Sequence, residues 1–253
     1  MTLVLKPGYS FDSDASTYID AVETADGQAL ETGVRIAIND FVLGCKQDGI
    51  WTAIKASCIL AGARTLDGAL VPLAGTAPTK IGTEGGWNYN RETGLQGNGT
   101  DNSLNSNRNN NADPQDSKHI STYASSWGTA SAGFIGSNAT LPGDTQLYAN
   151  NGTGTKFIRV NNASFYSTSE VTTSPFMGAS RNSSSEFTFR LNATSNSVSR
   201  LSDIPSNRTI RVFQHLAITD ARLAFYSIGE ALDLAALDTR VSNLITAIGA
   251  AIP

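Results

Sequence analysis

Hydrolysis of a sugar bond needs two carboxylates held about 5 to 9.5 Å apart across it. In this sequence Glu186, inside the alternating stretch EFTFRL, is the acid most clearly on a strand. Glu84, Glu92, Glu170 and Glu230 have no second acid at strand spacing, and they read as solvated or turn residues. No G-x-S-x-G elbow occurs, and with His119 and His215 the only histidines a Ser-His-Asp arrangement has few ways to form. His119 opens a strand after a polar loop and His215 sits beside Leu216 in a strand pattern, so both read as satisfied structural residues. Cys45 and Cys58 are too few for a disulfide framework, and neither belongs to a C-x-x-C pair. They read as free, partly buried thiols made in a reducing cytoplasm, with a single disulfide between them as the alternative. Asp101, Asp113 and Asp116 could offer oxygens to Ca²⁺, but their spacing fits no EF-hand and the stretch reads as a polar surface loop. GNGT and GTGT are turns, since no helix with a Lys and Ser/Thr follows either. No catalytic residue, metal ligand or cofactor is assigned.

Aromatic rings are the remaining candidates, because a ring can stack on the face of a sugar. Trp87, Tyr89, Trp127 and Tyr148 fall in or beside loops and are taken as candidate glycan-binding residues; Tyr166 is similarly placed. The competing reading is that most of them pack the protein's own core or edges. Asn98, Asn138, Asn151, Asn162, Asn182, Asn192 and Asn207 each begin a glycosylation sequon, which chance explains in a chain so rich in Asn and Thr.

The 253-residue chain carries only 16% charged residues, and Asn, Ser, Thr and Gly make up the difference. That composition suits β-structure with many polar turns. A net charge of −4 argues against a nucleic-acid surface. No apolar run reaches the ~18 residues of a membrane span. MTLVLKPGYSFD lacks the marks of a signal peptide and reads as an extended arm over residues 1–12. Leu3, Val4, Leu5, Tyr9 and Phe11 are its candidate interface residues.

Residues 13–62 are helical in pattern. Asp12, Ser13 or Asp14 can cap a first helix, and Asp26-Gly27 breaks it. Leu30, Val34, Ala37, Ile38 and Phe41 form one face of a second helix, with Gly44 placed to end it. A strand is expected around Leu70 to Leu73, then a Pro-containing linker, so 13–80 reads as a helical anchoring region. From 81 to 253 short strands alternate with Asn/Gly/Ser loops: EFTFRL, TIRVFQHLAI and ARLAFYSIG, with HISTYAS, AGFIGS and TKFIRV beside them. GNGTDNSLNSNRNNNADPQD and YANNGTGT read as loops. A helix over 233–248 closes the chain, capped by Asp233 and stapled by Leu232 and Leu237. Its stripe of Leu234, Leu237, Val241, Leu244, Ile245 and Ile248 must be covered by something.

The closing segment, Phe225, Ser227, Ile228, Gly229, Leu232, Asp233 and Leu237, resembles that of concanavalin A-like, laminin-G-like jelly rolls. Over about residues 14 to 252 the chain also resembles tailed-bacteriophage virion proteins of this type. The quoted stretches are DGQALETGVRIAINDFVLGCKQDGIWTAIKASCILAGARTLDGALVPLAGTAPT, YNRETGLQGNGT, LNSNRNNNADPQDSKHISTY and ARLAFYSIGEALDLAALDTRVSNLITAIGAAI.

The resemblance implies a mainly β, concanavalin A-like jelly-roll sandwich with an N-terminal helical region and a short C-terminal helix. It implies a non-enzymatic structural protein of a phage particle, found at capsid decoration, head fibre or tail and assembled in the host cytoplasm. Its partners would be other virion proteins and further copies of itself, for instance in a trimer, with no nucleic acid and no membrane. The alternative is a lectin-like adsorption module for host-surface glycans. Glucanases of this fold place their acids in an E-x-D-x-x-E strand pattern, which is missing here.

Overall fold

EFTFRL forms the strand its alternation predicts: Phe187, Phe189 and Leu191 are buried, while Thr188 and Arg190 lie half-buried on the other face. A computed structural model describes residues 10–137, 141–150, 153–172 and 174–253. Its first part holds α1 (Ser13–Asp26), α2 (Thr32–Gln47), β1 (Ile54–Ile59), α3 (Leu66–Ala69) and β2 (Thr79–Ile81). Next come β3 (Asn88–Asn90), β4 (Gly94–Gln96), β5 (Ser103–Asn109), β6 (Lys118–Ser126), β7 (Ala132–Ser137), β8 (Asp144–Asn150) and β9 (Thr155–Asn162). The chain continues with β10 (Tyr166–Thr168), β11 (Phe176–Arg181), β12 (Glu186–Leu191), β13 (Thr194–Ser199) and β14 (Thr209–Val212). It closes with β15 (Gln214–His215), β16 (Ala217–Ile218), β17 (Arg222–Gly229) and α4 (Leu234–Ala251).

The strands build two antiparallel sheets, a jelly-roll sandwich. One runs β13-β12-β11-β6-β17-β4-β3, with β1 also paired to β17; the other runs β10-β9-β8-β7-β14-β5-β2. Between them lies a core that includes Phe134, Ile135, Leu147, Ile158, Phe187, Phe189, Leu223 and Tyr226. A second core lies on the outer side of the first sheet, where α1, α2 and α4 cover Phe176 and Phe225. Phe41 of α2 meets Phe225 edge-on at 5.7 Å.

The caps work as the sequence predicts. Asp12 accepts from the Asp14 amide, Gly27 closes α1 at φ +63°, and Asp233 accepts from the amides of Ala235 and Ala236. The apolar stripe of α4 is buried entirely within the chain, against α2 and the first sheet, so it leaves no seam for a second copy. Arg190 on the sheet's outer face reaches Asp238 of α4 at 2.7 Å and ties the two layers.

Six local expectations are corrected. TIRVFQHLAI is not one strand: positive φ at Phe213 and Leu216 breaks it into β14, β15 and β16. YANNGTGT is loop only in part, since Tyr148, Ala149 and Asn150 end β8 and Thr155 opens β9, paired as a hairpin. Residues 54–59 are a strand rather than the end of the helical stretch: IKASCI is buried on both faces, and a short apolar run has no period that separates strand from helix. Gly44 does not end α2, which continues to Gln47. A side chain at 44 would collide with Arg240, 2.7 Å from its Cδ, so the glycine serves the packing of α2 against α4. The strand expected around Leu70 to Leu73 reduces to a single bridge between Ala74 and Ser57 after the one-turn α3, because Pro72 has no N–H for a ladder. The Asn-rich loop contains β5, stabilised by buried Leu104 and by Ser106, whose hydroxyl donates to the Ile210 carbonyl. Tertiary pairing there overrides poor strand propensity.

The anchoring region does not pack apart from the sandwich. β1 pairs with β17 in the first sheet and β2 with β5 in the second, so residues 13–80 contribute to both cores.

Candidate functional site

The β8–β9 hairpin has the alternation of a strand pair with one buried face. Leu147, Ala149, Ile158 and Val160 point into the inter-sheet core. The opposite face therefore carries the cross-strand pairs Tyr148/Phe157 and Gln146/Arg159. These four residues floor a cavity of about 420 Å³ on the outer surface of the second sheet. One wall is the turn Ala163–Ser164–Phe165 and the other is the β15–β16 hairpin, through His215, Leu216 and Ala217.

The aromatic part is a chain of edge-on contacts. Tyr148 and Phe157 lie 5.7 Å apart at 65°, and Phe157 and Phe165 lie 4.9 Å apart at 84°. Phe165 is 51% exposed and Leu216 57%. Two large apolar groups facing water across one cavity mark a place where a ligand gains by covering them.

The polar part is held in place from behind. The Tyr148 hydroxyl donates to the Ser131 carbonyl at 2.8 Å. Arg159 is buried and pairs with Asp144 at 3.2 Å, while its Nε–H has no partner. Asp144 is fixed in turn by the hydroxyls of Ser137 and Ser206 and the Leu141 amide. His215 Nδ1 donates to the Ser137 carbonyl at 2.9 Å, which makes Nε2 the acceptor nitrogen of the neutral ring. Burial lowers the His215 pKa, outweighing the opposing effect of the Ser137 contact, so the ring is neutral near pH 7. Burial also raises the Tyr148 pKa. The cavity thus offers an apolar aromatic side, a neutral acceptor nitrogen, an amide from Gln146 and a guanidinium whose charge is partly answered by Asp144.

Of the four candidate glycan-binding aromatics only Tyr148 lies here. Trp87 packs edge-on against Phe213 at 5.6 Å, and Tyr89 donates to the Ala63 carbonyl at 2.7 Å. Trp127 tilts onto Phe134 at 5.0 Å, with the Lys156 ammonium 5.6 Å from its ring. All three are half-buried against the inter-sheet core. Phe157, Phe165, Arg159 and Gln146 were missed. The alternation of TKFIRV, with Ile158 and Val160 inward, was the available signal for Phe157 and Arg159. Phe11, an expected interface residue, packs half-buried against the helical core under the Arg35 guanidinium. Leu3, Val4, Leu5 and Tyr9 lie outside the described residues.

The other reactive groups are occupied structurally. His119 is buried; its Nδ1 donates to the Glu230 carbonyl at 2.6 Å and its Nε2 accepts from Ser227 at 2.9 Å. Cys45 and Cys58 are free and buried, and burial pushes both thiols up to about 12. Asp113 bonds Lys118 at 2.8 Å and Arg108, while Asp101 accepts from Thr83 and Asn98. Among the described residues no three His, Cys, Asp or Glu side chains gather as a metal site.

No protein-family model matches the chain, and no curated protein sequence matches it. Solved structures do resemble it. The botulinum neurotoxin serotype D binding domain superposes with a TM-score of 0.51 at 15% identity, over 76% of this chain and 51% of that one. A Trypanosoma rangeli sialidase in complex with sialic acid gives 0.50 at 8% identity, over 77% of this chain and 33% of the sialidase. The chain therefore spans about half the length of the toxin domain and a third of the sialidase. At such identities the shared property is the fold.

Proposed function

We propose that this chain is a glycan-recognition module whose binding site is the outer-face cavity of the second sheet. The observation that carries the reading is the contiguous Tyr148–Phe157–Phe165 aromatic surface facing His215, Arg159 and Gln146. A sugar ring has an apolar face of C–H groups and a rim of hydroxyls, and it needs both surfaces at once. The C–H face covers Phe165 and Phe157, and the hydroxyls exchange water for the Gln146 amide and the imidazole acceptor. The same broad fold houses a toxin binding domain and part of a sialidase captured with sialic acid, which agrees with this reading. Binding of the purified chain to an array of immobilised glycans tests it. Binding of a defined sugar class is expected, and an array blank at high protein concentration removes the reading.

The virion setting rests on the sequence resemblance alone. In that setting the chain is a particle-borne adsorption module, carried on a capsid or tail and presenting the second sheet to the host surface. Mass spectrometry of purified particles tests it; a preparation free of this chain excludes it.

A further inference from the structure

The β15–β16 hairpin that walls the cavity has a second cavity on its other side. The chain leaves β14 at Phe213 with φ +67°, turns at Leu216 with φ +63°, and returns to pair Ile218 with Gly133. Leu216 and Ala217 line both cavities. Beyond them lies a space of about 720 Å³ bordered by Thr100, Asp101, Ser103, Arg211 and Gln214. Arg211 Nη1 donates to Gln214 Oε1 at 2.8 Å, which orients both side chains at that border. Ser131, whose carbonyl accepts the Tyr148 hydroxyl, lines this second space.

The two sides differ in chemistry. The first is mostly aromatic and apolar. The second is polar and carries one carboxylate and one guanidinium, a set suited to hydroxyl groups more than to a net charge. Leu216, 57% exposed, forms the saddle between them.

We propose that the two cavities are adjoining subsites for one oligosaccharide of at least two sugar units, which crosses the hairpin at Leu216. One unit lies against Phe157 and Phe165, and the next is hydrogen-bonded by Arg211 and Gln214. This inference rests on the glycan-binding reading and adds the length of the ligand to it.

The test is a titration series with mono-, di-, tri- and tetrasaccharides of glucose, galactose, mannose, N-acetylglucosamine, rhamnose and sialic acid. For the sugars that bind, the di- or trisaccharide is expected to bind about tenfold or more tighter than its monosaccharide, a gain of about 1.4 kcal/mol. Arg211→Ala should erase most of that advantage. Equal affinities for the monosaccharide and the longer forms overturn the double site while leaving single-site glycan binding standing. An Arg211→Ala variant that folds, with an unchanged melting curve, and keeps the full advantage overturns it too. If that variant does not fold, the length series on the unaltered protein decides alone. No binding by any member removes both this inference and the reading beneath it.

Discussion

A Cβ atom at residue 133 would lie 2.2 Å from the Cβ of His215 and 2.5 Å from its backbone nitrogen. Gly133 pairs with Tyr148 on one side and with Ile218 on the other, so its missing side chain is what lets the hairpin settle beside the Tyr148 ring. Its φ is not positive, so the glycine is required by space and not by backbone conformation. The Gly133→Ala variant should lose about 1–3 kcal/mol of stability through overpacking, together with glycan binding. A denaturant midpoint equal to that of the parent would contradict this packing.

Phe165→Ala separates binding from folding. Half of that side chain already faces water, so truncation should alter stability by no more than about 0.5 kcal/mol. Removing the apolar wall should weaken glycan binding about tenfold or more, by analogy with buried aromatic anchors. Titration calorimetry alongside a thermal melt gives both numbers.

The Asp113–Lys118 pair is buried on both sides, at 2.8 Å, with Arg108 as a third member. Burial alone raises the Asp113 pKa, but the Arg108 and Lys118 contacts outweigh it and hold the carboxyl below its usual range. Asp113→Ala leaves the Lys118 ammonium buried without its anion and should cost about 3–5 kcal/mol. Chemical unfolding checks the loss; a variant as stable as the parent would show that the ammonium finds another partner or gives up its proton.

His119 sets an acid limit. Burial lowers its pKa to about 4, against an ordinary value near 6.5. The unfolded chain therefore takes up a proton between about pH 6.5 and 4 that the folded chain refuses, and stability falls as pH falls through that window. Above it the full stability is present. The loss from this residue approaches about 3 kcal/mol near pH 4, and buried His215 acts in the same direction. Unfolding free energies at pH 7 and 4.5 measure the slope, and His119→Gln should flatten it even if the variant starts less stable.

Asp233 accepts from two amides at the start of α4, and Asp233→Ala should cost about 1 kcal/mol. The comparison is best made with Asp233→Ser, which keeps an oxygen at the cap and should recover most of the loss. Equal stability for Ala and Ser would show that the cap contributes nothing.

What could be read in advance was local. The alternation of EFTFRL, the glycine at 27 and the aspartates at 12 and 233 act over a few residues, and each did in the fold what its type predicts. IKASCI failed because burial on both faces erases the period that would mark it as a strand. Gly44 failed because the same residue type ends helices and admits neighbours, and only the position of Arg240 tells which. Trp87 and Trp127 are candidates because they sit in or beside loops, yet a ring at a loop can also pack inward, and both lie half-buried against the inter-sheet core.

By itself, then, the sequence determined the class of the fold, both ends of α1 and the start of α4, since periodicity and caps are short-range codes. Where the apolar stripe of α4 would lie, and that it would be covered from within the chain, was settled only by three layers closing on one another. The candidate site was decided in the same way. Tyr148 and Phe157 face outward because strand register sends Leu147 and Ile158 inward, and His215 reaches them because a distant glycine leaves room. A contact between residues far apart in the chain has no period to announce it; it exists once the core has fixed both strands.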